Sequence, residues 1–177
     1  MIISVEAAKQ FVDGITDWKD EKIERKLKAI EQTIRAYTNN NFQKRTHRKT
    51  ADIIGGLCVF EAPSPFSVGD TVQISESDLN DGLYTVTVST IDTITFAEDV
   101  VDEKEVLLTK VEYPLDVVDC AFNLLEWEVN NRAKVGIQSE TLSRHSVTYF
   151  AQDANNQVMG YPVSLLGCLK AYRKARC

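Results

Sequence analysis

Residues 71–96 read TVQISESDLNDGLYTVTVSTIDTITF, and apolar residues fall at every second place in three short runs: Val72 and Ile74, then Tyr84, Val86 and Val88, then Ile94 and Phe96. Side chains on a strand point to alternate faces of a sheet, so a period of two predicts half-buried strands. Asn80-Asp81-Gly82 supplies turn residues that tolerate positive φ, and Pro63, Pro65 and Val68-Gly69-Asp70 turn the chain before the first run. Val106 and Leu108 continue the alternation, with Val111 as an optional third member. Short strands between Thr50 and Glu112 predict a small antiparallel barrel or sandwich, whose closure protects its edges. The stretch from Asp78 has the look of a calcium loop, but glycine comes one place early and Ser89 stands where the distal glutamate belongs. It reads as a turn.

On both sides of this segment the period becomes helical. Ser4 can cap a short helix with Glu6 in its first turn and Ala8, Phe11 and Val12 as its apolar stripe, stopped by Asp13 and Gly14. From Asp20, the residues Ile23, Leu27, Ile30, Ile34 and Tyr37 recur at steps of four and three, with Glu24, Arg25, Lys28, Glu31 and Arg35 on other faces. That is an amphipathic helix, ending in the Asn39-Asn40-Asn41 run. Lys44, Arg45, His47, Arg48 and Lys49 follow as a basic connector, solvated in the first reading and a phosphate contact in the second.

After the strands, Pro114 begins a helix in which Leu115, Val118, Phe122, Leu125 and Val129 form one stripe and Val117, Ala121 and Leu124 another, so that cover is expected on two sides. Trp127 lies near its end, and Lys134 with Gly136 marks the stop. Val147 and Tyr149 alternate in an extended piece between Ser139 and Phe150, and Asn155 to Gly160 is a loop. Pro162 and Ser164 introduce a last helix with Leu165, Leu166, Leu169 and Tyr172 on one face and Lys170, Arg173, Lys174 and Arg176 near its end. Neither helical half has enough apolar surface to stand alone. The expected fold class is therefore α+β: a helical bundle core from residues 1–49 and 113–177, with residues 50–112 inserted as a small antiparallel β barrel or sandwich.

With 177 residues, 44% of them hydrophobic, the chain can bury one sizeable core or two small ones. No apolar run is long enough for a bilayer, and Met1 to Glu6 lacks the features of a signal peptide, which predicts a soluble protein folded in a cytoplasm. The net charge of −6 is unevenly distributed: Thr50 to Glu112 holds 13 acidic residues against Lys104 and Lys110, or −11, leaving +5 elsewhere. Cys58, Cys120, Cys168 and Cys177 are far apart and share no ligand spacing with His47 or His145, so buried or spare thiols are expected rather than a disulfide framework or zinc site. No nucleophile motif, phosphate-binding glycine loop or metal-ligand cluster is present, so no catalytic, cofactor or metal residue is assigned and no enzyme is expected. The acids at Glu98, Asp99, Asp102 and Glu103 read as surface solvation.

The helical ends carry a resemblance. Ala7, Ala8 and Phe11, then Ile23 to Tyr37, then Asn41-Phe42 are similar to the opening of the head-tail connector proteins of tailed bacteriophages. More specific is the later part: Gly136-Ile137-Gln138-Ser139-Glu140, Ser146-Val147-Thr148-Tyr149, and Tyr161-Pro162-Val163-Ser164-Leu165-Leu166-Gly167 running into Leu169 to Arg176. This order resembles the adaptor, or head-completion, proteins of siphophages and prophages over residues 1–45 and 113–177, whereas 50–112 departs from the minimal helical form. The resemblance implies a structural virion protein at the neck, made in the host cytoplasm. It would bind the portal protein as a dodecameric ring, receive a downstream connector or stopper, and let genomic double-stranded DNA pass without specific recognition. A monomer is expected in isolation. Lys170, Tyr172, Arg173, Lys174 and Arg176 are the candidate portal-docking residues. The alternatives are a β-barrel binding module with a non-phage partner, and a DNA-packaging accessory protein that uses Lys44 to Lys49 and the basic end.

Overall fold

The computed structural model describes residues 1–131, 139–142, 145–148 and 156–175, with the backbone alone at 139–142 and 145–148. In chain order the elements are α1 (Val5–Phe11), α2 (Asp20–Thr38), β1 (Gln43–Ile54), β2 (Leu57–Val59), β3 (Thr71–Ser75), β4 (Gly82–Ser89), β5 (Thr93–Phe96), β6 (Glu103–Val111), α3 (Leu115–Asn131), β7 (Ser139–Leu142), β8 (His145–Thr148), β9 (Gln157–Val158) and β10 (Tyr161–Pro162). A 3₁₀ segment, Gly167–Tyr172, follows. The chain divides into two compact units, one of Asn41–Tyr113 with Met1, the other of Ile2–Asn40 with Pro114–Cys177.

The first unit is a closed barrel in the order β1-β2-β5-β4-β3-β6, in which β6 returns to pair with β1 and every pair is antiparallel. Alternation puts Ala51, Ile53, Cys58, Val72, Ile74, Val86, Ile94, Val106 and Leu108 inside, and the rings of Phe60 and Phe66 complete this core. Closure leaves β3 and β6 hydrogen-bonded on both sides, so their backbone groups are satisfied without solvent. Register shifts interrupt the ladder at two places on β1. Gln43 faces Val111 and Arg48 faces Thr109, so the residues between them on β1 outnumber those on β6 and bulge outward. A further shift between Val86 and Val88 on β4 leaves Val88 on the surface, although simple alternation predicts it inside.

The loop between β3 and β4 closes on protein groups. Asn80, buried, accepts from the Val101 N–H at 2.8 Å and donates to the Val101 carbonyl at 3.0 Å. The Glu103 carboxylate accepts from the Ser77 hydroxyl, the Asp78 N–H and the Asn80 amide. These donors, Ser77 first, hold the Glu103 carboxyl below the usual carboxylate range.

In the second unit, α2 buries Ile23, Leu27, Ile30 and Ile34 completely, and Asn39 ends it in the left-handed conformation at φ 48°. Ser4 caps α1 by accepting from the Ala7 N–H at 3.1 Å. The buried side of α3 comprises Val117, Cys120, Ala121, Leu124, Leu125 and Glu128. Among the described residues one apolar stripe of this helix is only partly covered: Leu115 is 83% exposed, and Phe122 is half-buried against the edge of the Phe11 ring.

The expected fold class is overturned. The closed six-stranded barrel is the dominant regular body, and the described residues contain three α-helices, one of them only seven residues long, rather than a helical bundle core carrying a minor insertion. Two physical causes account for this. The barrel begins at Gln43, not Thr50, because the basic stretch belongs to β1 and is not a connector: Lys44 to His47 lie in a bulge, where polar residues show no alternation, and Arg48 and Lys49 pair with β6. Residues 162–172, expected to be the last α-helix, instead make successive bonds of the 3₁₀ type: Leu165 to Pro162, Leu166 to Val163, Gly167 to Ser164 and Leu169 to Leu166. Leu166, Leu169 and Tyr172 are spaced by three, which aligns them on a three-residue turn, and Gly167 disfavours the α-helical alternative. The helix stop at Lys134 and Gly136, and Arg144, Tyr149, Arg176 and Cys177, lie outside the described residues.

Candidate functional site

Each unit carries one candidate surface. In the second unit it is the segment after the 3₁₀ turn. Tyr172 donates its hydroxyl to both oxygens of Asp116 on α3 at 2.7 Å, and this bond, with lesser desolvation, raises the phenol above its ordinary pKa. The Arg173 guanidinium lies over the Tyr37 ring of α2, 5.3 Å from its centre. The Lys174 N–H donates to the Thr38 carbonyl at 2.8 Å, while the Asn39 and Asn40 amides donate to the carbonyls of Ala175 and Tyr172. The asparagines that end α2 thus also hold the segment. Lys170, Arg173 and Lys174 are exposed, and Tyr172 is turned to Asp116. Four of the five candidate docking residues therefore fall on one segment; Arg176 lies outside the described residues.

The same unit holds a polar cluster that sequence periodicity does not announce, toward the other end of α3 from Asp116. Glu128, 3% exposed, accepts from Lys26 Nζ at 2.9 Å and from the Tyr161 hydroxyl at 2.8 Å, with the Trp127 ring packed edge-on against Tyr161. The signal available in the sequence was an acid on the buried stripe of α3, four places after Leu124. Cys120 and Cys168 are joined as a disulfide, with Cα atoms 6.5 Å apart, which corrects the expectation of spare thiols. Their partnership depends on how the 3₁₀ turn meets α3, and no local spacing encodes it.

In the barrel, an open groove of about 640 Å³ runs along the outer face of β1, floored by Thr50, Asp52 and Ile54 and flanked by Val59, Glu61 and Lys104. Glu105, at the second register shift, adopts φ 56°, and its N–H donates to Asp52 Oδ1 at 2.9 Å. Ile54, Leu57 and Val59 give the β1–β2 hairpin an exposed apolar surface. A smaller hollow beside it includes Arg48, Lys49 and Phe60. The groove offers mixed polar and apolar contact, and its titratable residues form no nucleophile and base pair. Lys44 is bonded to Glu112, holding that carboxyl low, and Lys49 donates to the Pro63 carbonyl, so part of the basic stretch is spent on the barrel itself. Cys58 is buried in the core and its thiol is pushed up to about 12 by desolvation.

Among the described residues no group of three His, Cys, Asp or Glu could hold a metal ion, and no helix is long and apolar enough to cross a membrane. No protein-family profile matches the chain, and no curated protein matches it.

Proposed function

We propose that this chain is a head-tail connector of a tailed bacteriophage, a structural adaptor that binds the portal as a ring and links the head to the tail or stopper. The observation that carries this proposal is the ordered set of sequence features that resembles that family, from Ala7 to Phe42 and from Gly136 to Arg176. Both stretches contribute to the same compact unit, which supports treating them as one functional body. An adaptor needs rigid docking surfaces rather than reacting groups. Lys170, Arg173 and Lys174, exposed on a segment anchored by Asn39, Asn40 and Asp116, suit contact with an acidic portal surface.

Size-exclusion chromatography with light scattering, with and without the portal protein of the same phage, tests the proposal. The chain alone is expected to run as a monomer and to co-elute with portal as a ring. A paired Lys170→Glu and Lys174→Glu variant should weaken that association roughly tenfold, the loss of two favourable rim charges. Failure to associate with portal at micromolar concentration sinks the assignment.

The groove on β1 favours a second reading, in which the barrel is a binding module for a non-phage partner. Its mixture of Ile54 and Val59 with Asp52, Glu61 and Lys104 resembles the polar and apolar mix of protein contact surfaces. Charge reversal at Lys170 and Lys174 leaves such binding unchanged, whereas Ile54→Glu abolishes it. The DNA-packaging alternative is the least supported, since part of its basic stretch is engaged by Glu112 and Pro63. Steeply salt-dependent retention on duplex DNA would revive it.

A further inference from the structure

Cys120 and Cys168 lie 48 residues apart in sequence and differ in exposure: Cys120 is 1% exposed on the buried side of α3, while Cys168 is exposed on the 3₁₀ turn. Their Cα separation of 6.5 Å lies within the range that a disulfide spans without backbone movement. The Leu165 carbonyl is 3.3 Å from each sulfur. When the bond is open, that carbonyl can accept from either thiol, so reduction need not strand a buried donor. Both the bonded and the open pair are therefore accommodated by the same backbone.

We propose that Cys120 and Cys168 are a thiol–disulfide exchange site that takes a small-molecule disulfide, with Cys168 the entry sulfur and Cys120 the resolving one. In the first step the Cys168 thiolate attacks one sulfur of the small disulfide; a mixed disulfide forms and one small thiolate leaves. In the second, the Cys120 thiolate attacks the Cys168 sulfur, the protein disulfide forms and the second small thiolate leaves. The two protons shed by the protein thiols are taken up by the two departing thiolates, so the protein is oxidised by two electrons and the small disulfide is reduced to two thiols. Exposure fixes the order, because of the two sulfurs that of Cys168 belongs to the exposed residue and that of Cys120 to the buried one.

The chemistry acts on the segment that follows. Lys170 to Lys174 begin two residues after Cys168, and the ties described from them to α2 and α3, hydrogen bonds and the Arg173–Tyr37 contact, are non-covalent. Oxidation adds a covalent tie from the turn to α3. The site is independent of the assignment to a phage neck and holds for any partner that this segment meets. Cys58 does not compete, being enclosed in the barrel core.

The test uses the full chain carrying Cys177→Ser, reduced and then exposed to oxidised glutathione, with intact mass and peptide mapping as readouts. The expected product has lost two hydrogens and contains a Cys120–Cys168 linked peptide; excess reduced thiol reverses it. Adding Cys120→Ser should trap glutathione on Cys168, at a rate roughly tenfold above any adduct on Cys120 in the Cys168→Ser counterpart. A stable glutathione adduct on the chain with both cysteines, disulfide-linked dimers as the main product, or equal labelling of the two sites overturns the proposal. Because the chain with both cysteines needs no substitution at the pair, misfolding of a serine variant leaves that first measurement decisive.

Discussion

The two units are held by different means. The barrel has a ladder closed on itself and a single apolar interior, so its stability is spread over many contacts. The second unit has short ladders and three helices, and individual long-range ties stand out: the Cys120–Cys168 bond, the Lys26–Glu128–Tyr161 cluster, and Tyr172 on Asp116. Distributed packing resists single changes outside its centre, whereas discrete ties can be opened one at a time.

The contrast can be tested with probes already present. Trp18 and Trp127 both lie outside the barrel, and Cys58 is buried within it, so tryptophan fluorescence follows one unit and thiol labelling of Cys58 the other. Reduction of the disulfide is expected to have the largest effect: closing a loop over a separation of 48 residues corresponds to about 4 kcal/mol in the chain-entropy picture. It should lower the fluorescence midpoint in urea and leave Cys58 labelling unchanged. Equal shifts in both would mean that the units unfold as one.

Leu108→Ala should do the converse. Leu108 is fully buried on β6, between β1 and β3, and its truncation is expected to cost ~3 kcal/mol. Cys58 should then label sooner, at denaturant concentrations where fluorescence is still native. Lys26→Met leaves the Glu128 carboxylate buried without its cation and should cost ~2 kcal/mol, less than a fully enclosed pair because Lys26 retains 28% exposure. The readout is again the fluorescence midpoint in urea.

The smallest effects depend on pH, and their signs differ between the units. Glu103 has its carboxyl lowered chiefly by Ser77, so its contribution is present above the ordinary carboxylate pKa and is lost as pH falls through the lowered value. Glu103→Gln should flatten the acid limb of Cys58 protection. Tyr172 has its phenol raised chiefly by Asp116, so its contribution is full below the ordinary tyrosine pKa and is lost as pH rises through the raised one. Tyr172→Phe should flatten the alkaline limb of the fluorescence-monitored unfolding instead. Should both substitutions act on the same limb, the assignment of these bonds is wrong.

What could be read from sequence divides along the same physical line. The stripe from Ile23 to Ile34 and the alternation at Val72, Ile74 and Val86 were legible because burial on one face leaves a local period. Val88 defeated that rule because a bulge shifts the register after Val86, and Lys44 to His47 hid the first part of β1 for the same reason. The 3₁₀ turn was obscured by leucines that suit an α-helix about as well as a tighter one. Of the candidate site, the basic residues from Lys170 to Lys174 were visible as composition, but their anchors on Thr38, Asn39, Asn40 and Asp116 were not. The disulfide, the Glu128 cluster and the β1 groove are products of tertiary contact, which leaves no period to detect.

The two ends of the barrel lie side by side. Its first and last strands are neighbours: Gln43 faces Val111, the Glu112 N–H donates to the Phe42 carbonyl at 3.0 Å, and the Phe42 and Tyr113 rings stand 4.9 Å apart. The polypeptide thus enters and leaves through a single doorway. A body with adjoining ends is of the kind that tolerates circular permutation, since a short linker can join the old ends while new ones open elsewhere.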